Sequence, residues 1–194
     1  MIGQPSPAAV TYYPPHDESI PFAERTEALH QWLTRYYQHG EPTAEETLAV
    51  RDGLKEPSST LDRISKDDLA ESVYDGPGDL LSGSDTLTVK MCFAHRLYAP
   101  LKDSALYLPP AQGDSENGAD SWRNVEVRLM WCDQSIWPMV WGPPLLHKEL
   151  KEARAAGRST RNVSFVRLRG ANHYAHWDFP EKTLRAFIGD EEEL

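Results

Sequence analysis

Two short apolar runs, VEVRLMWC at 125–132 and VSFVRL at 163–168, are separated by a long stretch of helical spacing, and a second helical pattern follows the later run. A strand, helix, strand order implies a parallel pair, because parallel strands need a long crossover whereas antiparallel strands can be joined by a tight turn. In the second run Val163, Phe165, Val166 and Leu168 are interleaved with Ser164 and Arg167, and Gly170 supplies the backbone freedom to leave the strand. His173 then falls in a loop, and Leu184, Phe187 and Ile188 recur at helical spacing after Pro180, with Gly189 as the stop. The helix between the strands is predicted from Trp137 through Ala156, remodelled at Pro143 and Pro144. A parallel sheet must be covered on both faces and needs neighbours, so two strands alone imply further strands missing from this chain or supplied from elsewhere.

The remainder is organised differently. Residues 1–20, with Pro5, Pro7, Pro14 and Pro15, are expected to be an extended lead-in. From 21 to about 39 an apolar stripe of Phe22, Leu29, Leu33, Tyr36 and Tyr37, with Trp32 beside it, predicts a helix ending at Gly40. Thr43 and Glu46 make a capping-box pattern for a second helix to about Val50, and Ser65 opens a third. Beyond a break at 75–86, the spacing of Leu87, Met91, His95 and Leu97 suggests another, ending before Pro100. Residues 21–108 are thus read as a mostly helical segment, 109–121 as a polar loop, and 122–194 as the α/β segment.

Charge narrows the function classes. With 30 acidic and 20 basic residues the net charge is −10, so no nucleic-acid or anionic-membrane partner is expected. No run approaches the roughly 18 apolar residues of a membrane span, and the first residues do not form a standard secretion signal. Cys92 and Cys132 sit in apolar contexts that favour free thiols, which points to a reducing, cytoplasmic setting.

With helices first, then strand, acidic turn, long helix, strand, GANHYAHWDFPE and helix, the chain resembles the C-terminal half of an α/β-hydrolase fold protein, most like fungal members of that superfamily. The specific part runs from Val125 to Ile188, with Gly170, His173, Asp178, Pro180 and Glu181 in the order family members use. The resemblance implies that 21–108 is a helical cap and that His173 is the general base. It offers Asp133 as the acid holding the imidazole, with Ser135 standing near the place where the family often puts that acid, and Asp17 as the fallback. The family's nucleophile turn, Gly-x-Ser-x-Gly, is not found in the 194 residues, and neither is its oxyanion-hole loop.

The expected function is therefore hydrolysis of an ester, epoxide or related bond in a small apolar substrate by a truncated or incomplete hydrolase, with the missing N-terminal half as partner. The alternative is a non-catalytic binding or interaction module derived from such an enzyme. Trp32, Tyr36 and Trp137 are candidate substrate contacts, against the reading that such aromatics fill core. His173 and His176 lack a convincing third ligand, so neither a metal nor another cofactor is expected.

Overall fold

The computed structural model describes residues 3–8, 12–72, 74, 76–109 and 121–189, so all but the ends of the expected 109–121 loop lies outside the described residues. The class is mixed α/β, mainly helical with one small parallel sheet. Strand β1, Val127–Cys132, pairs in parallel with β2, Val163–Leu168, in a register running from Val127 opposite Val163 to Cys132 opposite Leu168. Among the described residues these two strands pair only with one another.

Alternation along the strands supplies two apolar faces, and each is met by a helix. Between the strands runs helix α6, Trp137–Ala155; its Leu146 and Leu150 pack with Val163, Phe165, Val127 and Leu129. Pro143 and Pro144 lie inside it without ending it. Each proline forfeits one backbone hydrogen bond, but Pro143 is buried and contributes packing instead. On the other face, Ala186 of helix α8, Pro180–Ile188, joins Val166, Leu168, Met130 and Cys132. Helix α8 stops at Gly189, whose φ of 106° is the left-handed conformation a C-terminal glycine supplies. Between β2 and α8 lies the short α7, Ala175–Asp178.

The helical segment is more broken than its spacing predicts. A 3-10 turn, Phe22–Glu24, leads into α1, Arg25–Thr34, and the backbone is extended at Arg35. The helix ends early because tertiary bonds take over: the Tyr37 N–H donates to the Gln134 carbonyl at 2.9 Å and the Leu54 N–H to the Tyr36 carbonyl at 2.7 Å. The expected second helix is only a 3-10 turn, Glu45–Thr47, since the Thr43 hydroxyl bonds Glu41 instead of capping. Then come α2, Thr60–Arg63, capped by Ser59, and α3, Lys66–Ser72, where Ser65 accepts from the Asp68 N–H as expected. Helix α4, Ser84–Ala94, and α5, Tyr98–Leu106, complete the segment. Trp32 and Tyr37 share a core with Leu48, Ile136, Trp137 and Trp141, so α1 and the start of α6 contribute to one cluster.

Candidate functional site

The turns after the two strands meet at their C-terminal ends. Pairing continues past β1 and β2, with the Asp133 N–H donating to the Leu168 carbonyl and the Gln134 N–H to the Ala171 carbonyl. At Gly170, φ is +72°, a conformation that favours glycine, and the chain turns there into Ala171 and Asn172, both fully buried. Asn172 anchors the loop. Its side-chain amide donates to the Thr34 carbonyl at 2.7 Å and the Thr60 hydroxyl at 2.8 Å, while its side-chain oxygen accepts from the Tyr174 N–H.

His173, the next residue, is exposed. Its ring is nevertheless flanked closely enough that desolvation first, and the neighbouring His176 second, hold its pKa below the ordinary histidine value. Its Nδ1 lies 3.3 Å from the hydroxyl of Ser135, which is 1% exposed. Ser135 is itself held by His39: the Ala49 N–H donates to His39 Nδ1 at 3.1 Å, so Nε2 carries the proton and donates to the Ser135 carbonyl at 2.7 Å. Burial lowers the His39 pKa in turn, opposed by its bond to Ser135 and the nearby Asp133 charge.

Asp133 is engaged elsewhere. Arg167 donates to its Oδ2 through Nε at 3.1 Å and Nη2 at 3.0 Å, and the Gly170 N–H donates to Oδ1 at 2.7 Å. Its carboxylate thus fixes the glycine turn that presents His173, and the residue facing the imidazole is Ser135. The fallback Asp17 accepts from the hydroxyl and N–H of Ser19 and pairs with Arg51; the Ser19 hydroxyl is the main cause of its lowered pKa.

The three aromatic candidates all lie in the interior. Trp32, Tyr36 and Trp137 are buried, and each spends its polar atom on this chain: Trp32 on the Val50 carbonyl, Trp137 on the Tyr12 carbonyl, and Tyr36 on Asp178. Asp178 accepts from the Tyr36 hydroxyl and the Thr60 hydroxyl at 2.6 Å and pairs with Arg63 at 2.7 Å. These three donors come from the helical segment, so the motif aspartate of GANHYAHWDFPE ties that segment to the α/β unit. Burial first, and the bond to Asp178 second, push the Tyr36 hydroxyl up to about 12. No sequence signal announced this cluster, because its members are brought together only by the fold.

Two shallow hollows of about 190 and 320 Å³ are lined by Gly3, Cys92 and Tyr98 and by Arg35, Lys55 and Ser59, away from His173. Both cysteines are free, and burial pushes the Cys132 thiol up to about 12, so it is a poor nucleophile. Among the described residues no cluster of side chains could hold a metal ion, and no helix is long and apolar enough to cross a membrane. No protein family, curated protein or solved structure matches the chain.

Proposed function

We propose that this chain is an α/β-hydrolase-like segment in which His173 occupies the proton-transfer position and for which the nucleophile is supplied by polypeptide outside residues 1–194. One observation carries the reading: an exposed imidazole on the turn after a parallel strand, with its Nδ1 aimed at the turn after the neighbouring strand. An imidazole held so at one nitrogen leaves the other facing the reacting group, where a proton can be exchanged with it. The substrate class is a small ester, epoxide or similar molecule, and the free thiols fit a reducing, cytoplasmic setting.

A short-chain aryl ester panel tests the proposal. Residues 1–194 alone should give no turnover above buffer. Co-expression with the coding sequence for a nucleophile turn should restore turnover, and His173→Ala should lower it by ~10²–10⁴-fold. Turnover by the chain alone, insensitive to His173→Ala, would overturn the reading.

A second reading, a non-catalytic interaction module, is favoured by one specific observation: Asp133 is spent on Arg167 and Gly170, and among the described residues no carboxylate bonds His173. It predicts a monomer that unfolds cooperatively and hydrolyses nothing in either setting.

A further inference from the structure

We propose that Ser135 is a positioning residue that sets the tautomer of His173, holding the neutral ring with its proton on Nε2. The inference rests on the hydrolase-like reading only for its catalytic consequence; the tautomer follows from the geometry. A serine hydroxyl has one proton to place, and burying it without an acceptor is unfavourable. Ser135 is 1% exposed, and among the described residues the one partner of its hydroxyl is His173 Nδ1, at 3.3 Å. The Ser135 carbonyl is already taken by His39, and its N–H by the Cys132 carbonyl, so neither changes what the hydroxyl can do. The hydroxyl therefore donates to Nδ1, and the ring proton sits on Nε2.

A carboxylate at position 135 would do the reverse. It can only accept, so it would draw the proton to Nδ1 and leave the Nε2 lone pair ready to take one from a nucleophile. With serine, the resting His173 presents an N–H to an approaching group, a donor suited to a carbonyl or carboxylate oxygen. To serve as a base it must first turn the hydroxyl into an acceptor, which strands the serine proton. The other groups around the ring are the His176 and Tyr174 side chains, His39 behind Ser135, and Asp133, already bonded to Arg167 and Gly170.

The test is nitrogen NMR of histidine-labelled protein at a pH where His173 is neutral. Wild type should carry the proton on Nε2. Ser135→Ala, which removes the donor and little volume, should give a mixture of tautomers; Ser135→Asp should move the proton to Nδ1 and raise the His173 pKa above that of wild type. Wild-type protonation on Nδ1 would overturn the proposal, and so would a Ser135→Ala protein whose tautomer is unchanged. If Ser135→Asp fails to fold, wild type and Ser135→Ala still decide. The measurement needs no substrate or nucleophile, so it can fail while the hydrolase-like reading stands, or hold while ester assays remain blank.

Discussion

Helices α4 and α6 both carry large apolar side chains, yet α6 buries Trp137, Val140, Trp141, Leu146 and Leu150, and α4 buries nothing. The difference lies in spacing. In α6 those residues recur at intervals of one, three, four and five, which gathers them on the side that meets the sheet and α1. In α4 the large apolar residues are Leu87, Val89, Met91 and Phe93, every second position, which on a helix scatters them to opposite sides. Met91 and Phe93 are accordingly more than half exposed. Apolar content forms a helix only in company; what fixes it in place is a stripe and a surface to receive it.

The largest expected effect tests that contrast directly. Leu150→Ala should cost about 2–5 kcal/mol in denaturant unfolding, because it opens a cavity between α6 and the sheet. Met91→Ala should change stability by no more than about 0.5 kcal/mol, as an exposed substitution does. If Met91→Ala costs as much as Leu150→Ala, α4 is buried in solution and the contrast between the two helices collapses.

Next comes the link between the regions. Asp178→Ala removes the shared acceptor of Tyr36, Thr60 and Arg63, leaving two buried hydroxyls and a guanidinium to find new partners. Breaking a buried pair costs about 3–5 kcal/mol, but the Arg63 side chain is 40% exposed and can return to water, so about 3 kcal/mol is expected. The loss should appear as faster hydrogen exchange in α1 and α2 than in α6. Uniform exchange across all three would show that α1 and α2 do not depend on Asp178.

These two regions were also unequally legible in sequence. Both strands, α6 and α8 lie within two residues of their predicted places, because local alternation, helical spacing and glycine stops all pointed the same way. The helix expected to about His39 ended at Thr34, since bonds from Tyr37 to Gln134 and from Leu54 to Tyr36 outweighed local propensity. The candidate site divides along the same line. His173 and its turn followed from Gly170 and the strand before it. The preference of Asp133 for Arg167 could not be read from spacing, because Arg167 lies on the other strand, opposite Trp131, and reaches Asp133 just past the end of β1. Tyr36 and Asp178 are far apart along the chain, and a stripe of aromatics carries no mark of which hydroxyl will find a carboxylate.

A smaller effect than Asp178→Ala is expected at Asp133, whose side chain is 14% exposed and whose partner Arg167 is a third exposed. Asp133→Ala should cost about 1–3 kcal/mol, the penalty for leaving the Gly170 N–H and the guanidinium without their acceptor. Asp133→Asn keeps an acceptor for Gly170 and should recover part of this. Since the carboxylate holds the turn and not the imidazole, the His173 pKa should move far less in Asp133→Asn than in Ser135→Asp. An equal movement would make Asp133 an electrostatic partner of His173 after all.

The smallest effect is one of pH, and it belongs to the junction of the two regions. His39 and His173 both have pKa values lowered from 6.5, with desolvation the first cause in each. The unfolded chain therefore binds protons that the folded chain refuses, and stability must rise with pH across the interval between the folded and unfolded values. Their contribution is complete above about 6.5 and is lost as pH falls from there toward the lowered values. For His39 the cause is structural as well: protonation would place a second N–H against the Ala49 N–H, which now donates to Nδ1. A melting temperature that falls between pH 7 and pH 5, with the fall reduced in His39→Gln, is the expected outcome. Glutamine keeps a neutral donor and acceptor but cannot take the proton. A flat profile in wild type would mean that water reaches the His39 imidazole, and its contacts with Ser135 and Ala49 would then have to be looser in solution.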